Sequence, residues 1–523
     1  MARRSKISDE QSRALVCEID PSEARYARTD PQRWRQKAKG GTEMRRMLIA
    51  IISLHIASNV LAREQAAVTS PRAISLTPCG LEDVAGSASC GTLQVGENPA
   101  QEDTRRITLN IAVIPALAST PRRDPIVLLM GGPGEDAVGA GAWFLELFAS
   151  VRAERDILLL DQRGAGRSSG LQCDMYSPAE DADNLRDVFP IEAVKRCERA
   201  LRARADLAQY SYRHFAHDLE RVRRSLGYDR LNLFAASYGT RAAQAYLKEY
   251  GSSVRTVFMG SAVPMDVSTP PEFAKAFQAA LEKTFVACAA DSQCRATYPN
   301  LRAEFQEVVA RLDAGVYVPL DDRSKASQVT RGRFIEWLRA RTYQTRSASQ
   351  VPWLIHRAYV GDWAPIVEGI LSDARNRVAS NTAFSFGLFF SITCNEDVAF
   401  IREEDEVPAV RRTYLGVYRV RQQQAACRHW PKASLASDYR ELVQSSAPTL
   451  FVSGDSDPAA PLWYTARVAK GFTNRAEVIL QDKGHTEWNE CVARLYDRLV
   501  QTASVRDLSA SCEREPRVPF KLK

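Results

Sequence analysis

Residues 106–114 (RITLNIAVI) alternate polar and apolar side chains with the two-residue period of a half-buried strand. Ile126 to Met130 (IVLLM) is instead a short continuous apolar run broken off by Gly131-Gly132-Pro133-Gly134, as in a strand buried on both faces. Similar runs recur at 157–160 before Asp161, 231–235 before Ser237, 254–259 before Gly260, 449–452 before Gly454 and 477–480 before Gly484. Helical periodicity fills gaps between them, as at 240–250 and 463–470. Short apolar strands alternating with helices predict an α/β chain with a mostly parallel central sheet covered on both faces. Ligands of such sheets bind beyond the carboxyl ends of the strands, where these Gly, Asp and Ser residues fall.

From about 265 to 440 the alternation stops. Helical patterns occupy 272–289, 301–312, 332–341 and 352–359, with almost no strand-like run. The segment lies between two core strands, so it reads as an insertion. The expected organisation is a core in two parts, 63–265 and 441–523, with a helical cap over 266–440. At 523 residues the chain is long enough for one large domain with such an insertion. Its 45% apolar and 25% charged residues are those of an ordinary globular protein, which excludes collagen-like and largely disordered classes.

The net charge of +7 is uneven. Residues 1–46 hold twelve Lys and Arg against seven Asp and Glu, whereas 63–523 hold 58 against 56. The basic excess therefore belongs mainly to the N-terminal segment, and the remainder has no bulk charge with which to seek nucleic acid. Behind Arg45-Arg46, Met47 to Ala62 (MLIAIISLHIASNVLA) runs for sixteen residues without formal charge. It ends with Val60 and Ala62 at the small-residue positions of a cleavage site, which is a secretory signal pattern. A membrane helix needs about 20 apolar residues, and this run falls short. The expectation is a signal peptide over 44–62 cleaved after Ala62, no stable membrane anchor afterwards, and a non-structural extension over 1–43, with translation beginning at Met44. The exported chain would be periplasmic or secreted.

Eleven cysteines bear on this. With Cys17 set aside, the spacing of the other ten suggests local pairs: Cys79 with Cys90, Cys173 with Cys197, Cys288 with Cys294, Cys394 with Cys427, and Cys491 with Cys512. Sequence alone does not fix connectivity, but an even number behind a signal peptide points to an oxidising compartment. A structural metal is disfavoured because no pair has zinc-type C-x2-C spacing, and His214 with His217 lacks companion ligands.

The sharpest chemical signal is Ala235-Ala236-Ser237-Tyr238-Gly239, after the run LNLF and before a helix. It resembles the G-x-S-x-G nucleophile elbow, with Ala for the first Gly; the turn is so tight that it needs small residues two before and two after the nucleophile. A serine needs a base, and the base a carboxylate to orient it. Of six histidines only His485 follows the elbow in the chain order Ser, acid, His and sits after the last core strand; His214 and His217 read as packing or surface residues of a helix. Gly454 is followed by Asp455 and Asp457, either of which could be the acid or part of a plain turn. An oxyanion needs two backbone donors. One would be the N–H of Tyr238. The other falls to the glycine loop, at Gly132 or else Gly131, since Pro133 has no N–H.

Four segments in order, Gly131-Gly132-Pro133-Gly134, Asp161-Gln162-Arg163-Gly164-Ala165-Gly166-Arg167-Ser168, Ser237-Tyr238-Gly239-Thr240, and Gly454 to Pro461 with Gly484-His485, resemble the proline iminopeptidase and tripeptidyl aminopeptidase-like serine peptidases of the α/β-hydrolase fold. Cys79 with Cys90 to Val95, Cys394-Asn395-Glu396-Asp397, and Cys427 to Pro431 are similar to the exported branch, so the likeness covers about 76–512. Ala235, Met130 and Ala459-Ala460 depart from its usual residues. The resemblance implies an α/β-hydrolase fold with an inserted helical cap, no metal or organic cofactor, and a peptide substrate. It makes Asp457 the acid, three residues after Gly454 and just before Pro458, with Asp455 in reserve. It gives Asp161 and Arg163 buttressing roles. It also assigns an acidic cap residue to the substrate α-ammonium, for which Glu396 is the first choice and Asp397 the second, against the alternative of a solvated turn or helix cap. The activity implied is release of residues or short peptides from peptide N-termini through an acyl-enzyme. An esterase with the same triad and a non-catalytic binding protein on this scaffold are the rivals.

Overall fold

The computed structural model describes residues 74–523 except 85, 87, 102, 177–179, 321–325, 380–383, 405 and 509–511. The expected extension over 1–43 and leader over 44–62 lie outside these residues. The described strands are β1 (Thr77–Cys79), β2 (Ala88–Gly96), β3 (Arg106–Ile114), β4 (Arg122–Leu129), β5 (Arg155–Leu160), β6 (Leu231–Ala236), β7 (Val254–Gly260), β8 (Val316–Pro319), β9 (Ala326–Val329), β10 (Thr449–Gly454) and β11 (Arg475–Leu480). Nine of them form one sheet in the order β1-β2-β3-β5-β4-β6-β7-β10-β11, and β8 pairs with β9 in a separate hairpin. The first three pair antiparallel, as do β3 and β5; all later neighbours are parallel.

The continuous apolar runs are explained by burial on both faces. In β4, Val127 and Leu129 enter one hydrophobic cluster while Ile126 and Leu128 enter another. In β5, Leu158 and Leu160 likewise part from Ile157 and Leu159, and in β6 Leu233 and Ala235 part from Phe234. Both faces are thus core, which is what a parallel sheet between helical layers requires. Phe234 stacks on Phe258 of the neighbouring strand at 4.5 Å, with Trp488 and Tyr496 edge-on to the pair.

The segment 266–440 carries helices Thr269–Ala290, Leu301–Ala314, Arg331–Arg341, Val351–Tyr359 and Ala364–Ala379, which surround a cluster of their own containing Phe277, Phe305, Phe334 and Ile355. It also contains the β8–β9 hairpin, whose four-residue strands are too short to show a period. Helices Phe386–Glu396 and Tyr418–Cys427 differ from the others, because Phe386, Phe390, Ile392 and Ala426 join the cluster on the sheet. The C-terminal tail returns to the cap: Phe520 and Leu522 pack on its cluster and the Lys521 N–H donates to the Ser349 carbonyl at 3.0 Å.

All five cysteine pairs suggested by spacing are disulfides: 79–90, 173–197, 288–294, 394–427 and 491–512. Five disulfides mark an extracytoplasmic chain. Among the described residues no helix is long and apolar enough to cross a membrane.

Candidate active site

β6 ends at Ala236 and the helix Gly239–Tyr250 begins three residues later, so Ser237 and Tyr238 make the whole connection. Ser237 sits at φ +54°, in the left-handed region that a non-glycine residue adopts only when its surroundings enforce it. The need for small neighbours is steric. A Cβ at Gly239 would stand 1.9 Å from the Leu129 carbonyl oxygen, and one at Gly131 would stand 2.9 Å from the Ser237 Cβ. Ala235, in contrast, points its methyl into the core at 0% exposure, so this departure from glycine is accommodated.

Three separate strand ends bring the remaining groups to the serine. His485 Nε2 lies 2.8 Å from Ser237 Oγ, and His485 Nδ1 lies 2.8 and 3.0 Å from the two Asp457 carboxylate oxygens. Asp457 is held by the N–H groups of Ala459 and Ala460, each at 2.8 Å. Backbone donors do this work, which is why two alanines suffice there. Asp455 is elsewhere: its carboxylate pairs with Lys283 at 3.1 Å and accepts from the Asp482 N–H. The histidine loop is fixed by the cap. Tyr343 accepts the His485 N–H through its carbonyl at 2.6 Å, Gln344 donates to the His485 carbonyl at 3.0 Å, and the Tyr343 ring stands edge-on to the imidazole at 5.1 Å.

The glycine loop closes over the same point. Gly132 takes φ +105°, a conformation that glycine adopts freely. The N–H groups of Gly132 and Tyr238 have no acceptor among the described residues, and both residues line the cavity above Ser237. Asp161 ties the loop down, accepting from the N–H groups of Ala137 and Val138 at 3.1 and 2.9 Å and from Asn110 and Arg167. Arg163 lies deeper, in a two-bond pair with Asp218 at 2.6 and 2.8 Å.

The cavity, of about 670 Å³, lies between Ser237 and the cap. That is the range of small-ligand and short-peptide sites. Aromatic walls (Phe189, Phe273, Phe384, Phe389) alternate with charged groups.

Glu396 and Asp397 are not brought to the cavity. Both are at 0% exposure beneath the elbow helix. The Glu396 carboxylate accepts the Tyr212 N–H at 3.1 Å; burial raises its pKa to about 7, against the opposing pull of Tyr439, Tyr212 and Arg241. Asp397 accepts from Arg241 at 3.1 Å, the Tyr238 hydroxyl at 2.9 Å and the Thr269 N–H at 3.1 Å. It therefore holds the side chain of Tyr238, the residue next to Ser237. The acids that do line the cavity are Glu135, Glu336 and Asp373. Glu336 is bound by Arg339 and Arg419, and Asp373 by Arg341. Glu135 forms no ion pair with an arginine or lysine among the described residues, is exposed at the cavity, and has its pKa pushed up by desolvation among the surrounding residues, with His485 pulling the other way. The sequence held a signal for it: Glu135 directly follows the glycine loop.

Residues 124–486 match the family described as alpha/beta hydrolase fold, a span from the glycine-loop strand through the histidine loop. The chain belongs to that family. This alpha/beta hydrolase is 25% identical over 234 residues to the YuaR protein of Escherichia coli (strain K12), described as a hydrolase, covering 42% of this chain and 46% of that one. It is 28% identical over 247 residues to the serine protease Hip1 of Mycobacterium bovis (strain ATCC BAA-935 / AF2122/97), again 42% and 46%. The chain thus spans about half the length of the curated relatives it matches. Among solved structures, the proline iminopeptidase of Mycobacterium smegmatis aligns with 79% of this chain and 98% of that one at 12% identity and a TM-score of 0.37.

Proposed function

We propose that this alpha/beta hydrolase is an exported serine peptidase that releases residues or short peptides from peptide N-termini, and that its leader is removed after Ala62. Ser237 attacks the scissile carbonyl while His485 takes its proton; Asp457 orients His485 and stabilises the imidazolium. The N–H groups of Tyr238 and Gly132 receive the oxyanion. His485 then gives the proton to the leaving amine, and water hydrolyses the acyl-enzyme by the same route in reverse. The observation that carries this reading is the unbroken hydrogen-bonded chain Ser237–His485–Asp457 at the floor of the capped cavity. Partial similarity to a serine protease supports it.

A peptidase that acts from the N-terminus must read the free amine. Since Glu396 and Asp397 are occupied beneath the elbow, Glu135 takes that role in this proposal: it is the cavity acid without an arginine or lysine partner among the described residues, and its exposed carboxylate is open to an incoming ammonium. The test is turnover of peptide amides with free and acetylated N-termini. Free-amine substrates should be preferred, and Ser237→Ala should abolish turnover. Equal activity on acetylated substrates, with faster cleavage of simple acyl esters, would favour the esterase reading, which uses the same triad and cavity.

A further inference from the structure

The cap face of the cavity carries an arginine cluster whose charge the protein leaves uncompensated. Arg333, Glu336 and Arg339 project from the helix Arg331–Arg341 and Arg419 from the helix Tyr418–Cys427. All four are nearly buried, at 7, 4, 5 and 8% exposure. Glu336 is the carboxylate among them: it accepts two bonds from Arg339, at 3.2 and 2.7 Å, and one from Arg419 at 2.5 Å. Two of the three guanidinium groups thus bond to one carboxylate. Two further acids stand nearby. Asp373 is paired with Arg341 and accepts from the Trp337 indole, and Asp187 is held by Gln422 at 2.7 Å and makes no ion pair among the described residues. Even with Asp187 counted, positive charge is in excess.

Arg333 is the unspent member. Its Nε donates to the Asn184 carbonyl at 2.8 Å, and its two terminal nitrogens have no hydrogen-bond partner among the described residues, although the residue is more than nine-tenths buried and lines the cavity. The other guanidiniums are stiffened by aromatic faces: Arg419 lies 4.9 Å from the Phe189 ring centre, and Arg339 lies 4.5 Å from that of Phe273. Glu336 and Asp187 offset part of the Arg333 charge from nearby without bonding to it; buried donors left without acceptors are costly, and a pre-oriented guanidinium fork matches a carboxylate with two parallel bonds. The cluster is also close to the chemistry, because Arg339 donates to the Tyr343 hydroxyl at 2.8 Å and the Tyr343 ring abuts His485.

We infer that the Arg333–Arg339–Arg419 face of the cavity is a carboxylate subsite, so that the hydrolase selects substrates bearing an anionic group a short distance from the scissile carbonyl. The carboxylate comes from an acidic side chain or from the far terminus of a short peptide. This deepens the proposed peptidase reading, but it also holds if the enzyme is an esterase.

Two arms test it. In the first, calorimetry on Ser237→Ala compares tetraalanine amide, tetraalanine with a free C-terminal carboxylate, and tetraalanine amides carrying Glu at each position in turn. In the second, the wild-type chain hydrolyses p-nitrophenyl monoesters of succinic, glutaric and adipic acid beside their uncharged butyryl, valeryl and hexanoyl counterparts. A carboxylate-bearing probe should be favoured by at least about tenfold, as expected for a charge-assisted bidentate contact. Arg333→Gln should cut the preference to within about threefold and Arg333→Lys should restore part of it. The first arm tells a side chain from a terminal carboxylate. Preference among esters without peptide binding would uphold the subsite and sink the peptidase reading. No preference in either arm, or a preference that survives in a folded Arg333→Gln chain, would overturn the inference.

Discussion

Asp397 separates a structural from a substrate-binding role within one substitution. Its carboxylate is fully buried and receives Arg241, the Tyr238 hydroxyl and the Thr269 N–H. Arg241 is also at 0% exposure, and its other acceptors are the neutral carbonyls of Pro264 and Val267. Asp397→Asn therefore leaves a buried guanidinium without its ion-pair partner, a change that costs roughly 3–5 kcal/mol. The lower end applies, because Glu396 lies close enough to Arg241 to supply part of the missing charge by ionising. At roughly 2 °C per kcal/mol for a large domain, the midpoint of thermal unfolding should fall by about 6 °C. Scanning calorimetry with the disulfides intact measures this, and parallel kinetics compare free and N-acetylated peptide amides. The ratio of their kcat/KM values should be unchanged, since Asp397 does not reach the cavity. An unaltered midpoint together with a raised KM for free-amine peptides alone would refute the reasoning and return Asp397 to amine binding.

Glu135→Gln should do the reverse, reducing kcat/KM on free-amine peptides by at least about tenfold with little effect on acetylated ones or on unfolding, as befits a charge-assisted contact. In the native chain the same preference should weaken as pH falls through the raised Glu135 pKa, because the ammonium partner needs the ionised carboxylate. Glu396 predicts a stability profile: with its folded pKa raised from 4.5 to about 7, the folded state keeps a proton that the unfolded state releases, so stability declines as pH rises from about 4.5 to 7. Urea titrations of Glu396→Gln should show a flatter profile in that window. Gly131→Ala, which drives a methyl to 2.9 Å from the Ser237 Cβ, should lower kcat by on the order of tenfold to a hundredfold, the scale of a disturbed oxyanion site, read on any turned-over ester or amide.

The inner strands β4, β5 and β6 were legible because burial on both faces leaves unbroken apolar runs, and the punctuating Gly, Ser and Asp residues stand where the chain leaves the sheet at the edge that carries the candidate site. β2 was not, since Ala88–Gly96 pairs on the antiparallel side with half-exposed Ser89, Cys90 and Gly91 and exposed Thr92 and Gln94, and it carries no clean period. Ser237 and His485 could be named because chain order and turn chemistry constrain them, whereas the choice of Asp457 over Asp455 came from the family resemblance. Glu396 and Asp397 show the limit of that reasoning. An acidic pair in a cap-derived segment looks the same in sequence whether its side chains face a cavity or the underside of the elbow, and only the packing of the helix Phe386–Glu396 onto the sheet decides between them. The arginine subsite was invisible for a similar reason: Arg333 and Arg419 are 86 positions apart and meet only through tertiary packing.

The central claim is that Ser237 is a nucleophile activated by His485. Its most direct test is intact-mass and peptide-mapping analysis after exposure to a fluorophosphonate. One adduct should form, located on Ser237, and it should be absent from Ser237→Ala and strongly slowed in His485→Ala. A native chain that stays unmodified, or a Ser237→Ala chain that labels as fast as the native one, would contradict the claim.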